Sequence, residues 1–182
     1  MAEYKDENDL MALLQDEQQK SLAFNQVVLQ YQQQVYWQIR KMVLCHDDAN
    51  DVMQNTFIKA WNAIDNFRGD SKLSTWLYRI AVNESLTFLS KQRTQHLGED
   101  MEAVMLNKME ADSYFDGDEL ELKLQKALLT LPEKQRLVFN MKYFDDMKYD
   151  EMEQVLGTSV GALKASYHLA VKKIEAFFTA EN

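Results

Sequence analysis

The chain is poor in the residues that interrupt or cross-link a backbone: one cysteine, one proline and five glycines in 182 residues. With Cys45 alone, no internal disulfide can form, which suits a reducing compartment. So little glycine and proline leaves few of the tight turns that a chain of β-hairpins needs. No run of about 18 apolar residues occurs, so no membrane span and no membrane insertion are expected. The start, Met1-Ala2-Glu3-Tyr4-Lys5-Asp6-Glu7, lacks the basic and apolar regions of a signal peptide. A cytoplasmic protein is expected. His46, His96 and His168 show no ligand spacing with one another or with Cys45, so no metal site is expected. P-loop, nucleophile elbow and glycine-rich dinucleotide turn are all missing. Neither a cofactor nor catalysis is therefore expected.

Positive charge is also scarce, since the formal net charge is −9. Its distribution matters more than its total. Residues 1–23 hold two Lys and Arg against six Asp and Glu, and residues 96–123 hold two against nine. Residues 24–95 hold eight against six, and residues 124–182 hold eight of each. The acid is concentrated in an N-terminal extension and a central segment. The two remaining regions are close to neutral, which permits contact with phosphate when a partner supplies part of the attraction.

What is present is helical periodicity. Phe24, Val27, Val28, Tyr31, Val35, Ile39 and Met42 form one stripe, and Met53, Phe57, Ala60, Trp61, Ile64 and Phe67 form a second. Asp47, Asp48 and Asp51 open that second helix, where carboxylates oppose the positive end of the macrodipole. A third helix, capped by Ser74, buries Leu77, Ile80, Ala81, Phe88 and Leu89. Leu10, Met11, Leu13 and Leu14 mark a further short helix. From His96 to Asp118 the pattern decays into an acidic linker that is in part helical. It resumes with Leu124, Leu128 and Leu131, and Pro132 suits the first turn of the helix that follows. The fold class expected is all-α: two small helical domains, 1–95 and 122–182, joined by an acidic linker over 96–121.

Two segments point to nucleic acid. Tyr149 to Leu156 makes a short helix that Gly157 can end in the left-handed conformation. Ser159 can then cap a second helix with Val160, Leu163, Tyr167, Ala170, Ile174 and Phe177 turned inward. This is the pattern of a helix-turn-helix, whose second helix reads the major groove with its N-terminal end. Lys164, Ala165, Ser166, His168 and Lys172 lie outward, small enough for close approach or polar enough to reach phosphates and base edges. An αα-hairpin with a solvated face fits the same pattern.

The other segment is the loop and helix start from Asp65 to Asn83. Arg79, Asn83, Thr87 and Lys91 fall four residues apart and make one polar stripe, with Arg93 just beyond. Arg68, Ser71, Lys72, Ser74 and Thr75 precede it. Small donors beside a helix that carries Asn and Arg could hold an unstacked base by its Watson–Crick edge. A solvent-facing stripe without any role is the plain alternative. Trp61 and Trp76 are expected in the core, and Tyr78 fits either core or surface.

These motifs resemble a known family. Asp51-Val52-Met53-Gln54-Asn55-Thr56-Phe57, Ala60-Trp61, Phe67-Arg68-Gly69-Asp70-Ser71 and Ser74 to Asn83 resemble region two of extracytoplasmic-function (ECF) sigma factors of the sigma-70 superfamily. Leu131-Pro132-Glu133-Lys134-Gln135-Arg136 and the segment ending in Lys172-Lys173-Ile174 resemble region four. The resemblance implies a bacterial initiation factor whose partners are core RNA polymerase and promoter DNA. By position, Asp51, Gln54 and Asn55 would face the polymerase. Arg68, Ser71, Lys72, Ser74, Arg79 and Asn83 would serve the minus-ten element, with Asn83 foremost. Lys164, Ala165, Ser166, His168 and Lys172 would serve the minus-thirty-five element. The acidic linker would thread towards the RNA exit path. Members are often restrained by an anti-sigma factor, although no residue here identifies one.

The chain departs from the family in one respect. Ser166, Leu169 and Val171 stand where region four commonly carries arginines. A polymerase-binding adaptor, or a helix-turn-helix regulator without promoter-melting activity, is the alternative that this departure keeps open.

Overall fold

A computed structural model describes residues 7–113 and 117–180. Met1 to Asp6, on which the reading of the N-terminus rests, lie outside the described residues. All regular structure within them is helical: α1 (Glu7–Leu14), α2 (Lys20–Val43), α3 (His46–Ala63), α4 (Leu73–Gln95), α5 (Met101–Glu110), α6 (Glu119–Leu129), α7 (Glu133–Tyr143), α8 (Tyr149–Leu156) and α9 (Val160–Ala180). A 3-10 turn, Ile64–Asn66, extends α3.

The first four helices form a bundle. Along α2 the buried residues are Ala23, Phe24, Val27, Tyr31, Val35, Gln38, Ile39, Met42 and Val43, the stripe that the spacing indicates. Helix α2 ends at Leu44, which takes a left-handed φ of 64° and donates its N–H to the Arg40 carbonyl at 2.9 Å. A branched side chain is strained in that conformation. Burial of Leu44 holds it there. From α4, Leu73, Leu77, Ala81 and Leu89 complete this core. The predicted Ser74 cap is displaced: the cap position is Lys72, and Ser74 lies inside the first turn. The first turn is instead closed from a distance, by the Glu7 carboxylate accepting from the Leu73 N–H.

The linker is more ordered than its composition implies. Asp100 caps α5 by accepting from the N–H groups of Glu102 and Ala103 at 3.1 and 3.3 Å. Met105 and Met109 are buried on the helix face that meets the bundle. Lys108 reaches Asp48 at 3.2 Å, and Asp112 is anchored twice. It pairs with Arg40 at 2.9 Å and accepts from the His46 N–H at 2.6 Å, at the start of α3. Carboxylates satisfy open helix starts well, so a segment of high negative charge can dock on one.

Helices α6 to α9 make the second bundle. Pro132 stands at the cap position of α7, where its missing N–H leaves no orphan donor. Gly157 ends α8 with φ 63°, and Ser159 Oγ accepts from the Ala162 N–H at 3.4 Å, so the helix-turn-helix forms as the sequence indicates. The core of this bundle is divided. Leu128, Leu131, Phe139 and Ala170 form a small cluster of their own. Leu129, Leu137, Val138, Met141, Met152, Val155 and Leu163 join the large cluster that also contains the core of α1–α4. The two bundles therefore pack against each other.

Polar contacts fix this arrangement. Lys41 of α2 forms an ion pair with Asp145, which also accepts from the Tyr78 hydroxyl at 3.1 Å. Asn140 donates its amide to the Lys41 carbonyl at 3.2 Å. Tyr78, left open by the sequence, is a core residue at 3% exposure. Burial first, and then the Asp145 charge, raise its hydroxyl well above the usual tyrosine range, so it remains a donor.

Candidate nucleic-acid and partner interfaces

Three surfaces carry the residues singled out by the sequence. On α3, Asp51, Gln54 and Asn55 are all exposed on one face, at helical spacing. Ile58, 54% exposed, continues the same face one turn on. Sequence reasoning missed it, because an isolated isoleucine on an amphipathic helix reads as core. Trp61 corrects an expectation. It sits at the bundle surface, 37% exposed, edge-on to Phe24 with ring centres 5.1 Å apart and the Lys20 ammonium over its face. Its large ring makes the apolar stripe wider than the core that it faces. Trp76 is half-buried and packs on Phe67 with centroids 5.0 Å apart.

The second surface joins the loop before α4 to one stripe of that helix. Arg68 and Lys72 are exposed, while Ser71 and Ser74 are half-buried. Thr75 is buried, which removes it from the set of available donors. Arg79, Asn83, Thr87 and Lys91 all lie outward. Thr87 bonds back to the Asn83 carbonyl at 2.8 Å, so its hydroxyl is committed to the helix. Among the described residues, neither the Arg79 guanidinium nor the Asn83 side-chain amide has a partner in the chain. Two planar, multidentate groups one turn apart thus present free donors and acceptors, the equipment for reading a base edge.

The third surface is the outward face of α9 from Lys164 to Lys172. Lys164, Ala165, His168 and Lys172 are exposed, and Ser166 is half-buried. The Lys164 ammonium lies over the Tyr149 ring, 5.6 Å from its centre. Leu169, 48% exposed, stands among these polar groups with no apolar cluster to cover it. The second and third surfaces meet. Val82, Asn83 and Leu86 of α4 line a groove of about 380 Å³ whose opposite wall includes Lys134, Leu137, Val155, Ala162 and Ser166.

Comparison with known proteins follows the same division. The sigma-70 region 2 family matches residues 27–95, and the sigma-70 region 4 family matches residues 121–174. The ECF RNA polymerase sigma-E factor of Escherichia coli K12 is 30% identical over 96% of this chain and 95% of its own length. The chain belongs to the ECF sigma factors. The sigma-E factor of Salmonella typhimurium LT2 is equally similar, and the RNA polymerase sigma-H factor of Pseudomonas aeruginosa is 31% identical over 84% of each chain. Among solved structures, CnrH in complex with the cytosolic domain of CnrY shares the fold, with a TM-score of 0.67 at 22% identity over 97% of this chain and 99% of that one. The sigma factor RpoE of Bartonella quintana, in complex with the anti-sigma factor NepR, has a TM-score of 0.65 at 21% identity over 87% of this chain and 98% of its own. Like its family, this sigma factor is not an enzyme: it binds core RNA polymerase and directs promoter-specific initiation. Among the described residues no helix is long and apolar enough to cross a membrane.

Proposed function

We propose a division of labour among the three surfaces. Asp51, Gln54 and Asn55, with Ile58, form the polymerase-facing side of α3. Arg68, Ser71, Lys72, Ser74, Arg79 and Asn83 hold the melted minus-ten strand, and Asn83 captures an unstacked base. Lys164, Ala165, Ser166, His168 and Lys172 contact the minus-thirty-five duplex. The units are 1–95 and 122–182, with 96–121 as the acidic connection, and the protein works in the cytoplasm. The observation that carries this reading is the pair of unengaged planar groups, Arg79 and Asn83, on the exposed stripe of α4.

Helix α9 supplies few donors, so its sequence preference rests partly on apolar contact. Leu169 is placed to meet a thymine methyl, a feature that only the major-groove edge of thymine presents. Weak modules suffice when polymerase holds both at once, because tethering raises the effective concentration of the second site. The groove beside Asn83 also suits an anti-sigma partner. Support comes from two neighbours of like fold that are bound to such proteins or to a partner's cytosolic domain.

The scarcity of arginine on α9 favours a second reading, an adaptor that binds polymerase without melting DNA. Run-off transcription with bacterial core polymerase on a genomic fragment library separates the two. Transcripts that depend on this protein, and that fall sharply with Asn83→Ala while polymerase binding persists, support initiation. Polymerase binding with no dependent transcript supports the adaptor.

A further inference from the structure

The segment from Glu7 to Lys20 precedes residues 27–95, which the region 2 family matches, and none of the three surfaces uses it. It nevertheless grips the minus-ten loop at both ends. At the root of the loop, the Lys20 ammonium donates to the Asp65 carboxylate at 2.6 Å and lies 5.0 Å from the centre of the Trp61 ring. At its far end, the Glu7 carboxylate accepts from the Leu73 N–H in the first turn of α4. Leu10 and Leu14 are buried, which seats α1 in the core of the first bundle. The turn between the two holds is itself braced. The Asp16 carboxylate accepts from the Gln18 N–H at 2.9 Å, and the Asp16 carbonyl accepts from the Lys20 N–H at 2.8 Å. A cleft of about 200 Å³ beside them is lined by Met11 and Leu14 of the segment and by Ile64 and Phe67 of the loop root.

The loop has little of its own to hold it. Phe67 donates its N–H to the Ile64 carbonyl at 3.0 Å, and the Ser71 hydroxyl donates to the Lys72 carbonyl at 3.4 Å. Lys72, at the cap position of α4, offers no side-chain acceptor to the open N–H groups of the first turn. A carboxylate from outside satisfies one of them and opposes the positive end of the helix. We infer that Glu7 and Lys20 are positioning residues for promoter opening, which hold Arg68, Ser71, Lys72 and Ser74 in the register that takes the minus-ten strand. The inference rests on the assignment of that loop to the minus-ten element. Release of Glu7 frays the first turn and carries Lys72 and Ser74 with it. Asn83 lies ten residues beyond Leu73, about three turns further along α4, and keeps its place. The influence of the N-terminal segment is therefore confined to the loop's share of the contacts.

The test uses the full chain with core polymerase on a promoter recovered by the run-off screen. Glu7→Ala should lower open-complex formation about fivefold, the population effect of one lost helix cap, with polymerase binding unchanged. Glu7→Gln keeps an oxygen acceptor and should stay within about twofold of wild type. Asp9→Ala removes an exposed carboxylate from the same first turn of α1 and serves as the matched control. Hydrogen exchange across residues 71–76 should be faster in E7A than in D9A. A double-mutant cycle separates positioning from general destabilisation. In an Arg68→Ala, Lys72→Ala background E7A should cost less than about twofold, because the contacts that it misplaces are already gone. Against Asn83→Ala its loss should persist in full.

An E7A variant that opens the promoter as well as D9A overturns the inference, and so does an equal loss in the wild-type and R68A/K72A backgrounds. If E7A loses its helical circular dichroism, the exchange Lys20→Asp with Asp65→Lys replaces it. Either single change should impair opening, and the exchange should restore it. An exchange no better than its parents overturns the inference as well. An R68A/K72A variant that opens the promoter like wild type condemns the minus-ten assignment of the loop. An impaired R68A/K72A beside a normal E7A condemns the positioning role alone.

Discussion

The two bundles solve the problem of a small core in different ways. Helices α1–α4 close one around Val27, Ile39, Leu73 and Leu77, each essentially inaccessible, and the linker helix adds Met105 and Met109 at its edge. Helices α6–α9 retain only four buried residues in a cluster of their own and place seven in the common one. A unit of about 60 residues buries a modest share of its surface, so it gains by leaning on a neighbour. The first bundle thus acts as the stable platform, and the second, which carries the helix-turn-helix, is the part whose position can change.

The largest expected effect breaks the platform. Leu77→Ala should destabilise the protein by about 2–5 kcal/mol, read from denaturant midpoints, and should unfold both bundles together. Leu128→Ala in the small cluster should fall at the low end of that range and leave the first bundle's transition intact. Equal losses would mean that the cores do not differ. The next effect is functional: Asn83→Ala should weaken open-complex formation by about 1–3 kcal/mol, the worth of a bidentate base contact, without loss of polymerase binding. Unchanged transcription from that variant would remove Asn83 from the site. Smaller still, Lys164→Ala should lower the salt slope of polymerase-dependent duplex binding by roughly 0.9, one phosphate contact. A slope equal to wild type would place Lys164 in solvent.

The smallest effect probes the seam through pH. Burial and Asp145 raise the folded-state pKa of Tyr78 above its ordinary value of 10.0. Below pH 10 the phenol is neutral in both states and the contribution is complete. Above it the unfolded chain releases a proton that the folded chain keeps, so stability falls as pH rises. Thermal unfolding between pH 9 and pH 11 should show that loss, and Tyr78→Phe should reduce it. Tyr31, raised chiefly by burial and then by Glu7, leaves a remainder.

Much of the fold could be read from the sequence because period and punctuation agreed. The stripes of α2 and α9, the left-handed Gly157 and the Ser159 cap each follow from local chemistry. The stripe Arg79, Asn83, Thr87 and Lys91 is outward as its spacing requires. What could not be read depends on distant partners. Ser74 looks like a cap by type, but the turn is closed by Glu7, 66 residues away. The acidic linker reads as in part helical, but nothing in its own composition reveals Arg40 and the open start of α3 as its anchors. Thr75 matches a donor by kind and is lost to burial. Spacing reports which face a residue occupies, and only packing reports what covers that face.

The double hold on Asp112 has a mechanical consequence. Between that residue and α6 lie only six residues, 113–118, which pulled straight reach roughly 20 Å. The minus-ten and minus-thirty-five elements are about 25 base pairs apart, on the order of 85 Å along the axis. So short a tether supplies about a quarter of that span, and the bundles themselves must cover the rest. Letting go of Asp112 and unwinding α5 would lengthen it to the 23 residues of 96–118, roughly 75–80 Å at full stretch. The clasp on Arg40 and α3 therefore sets the leash, and its release would lengthen the reach of the second bundle roughly fourfold.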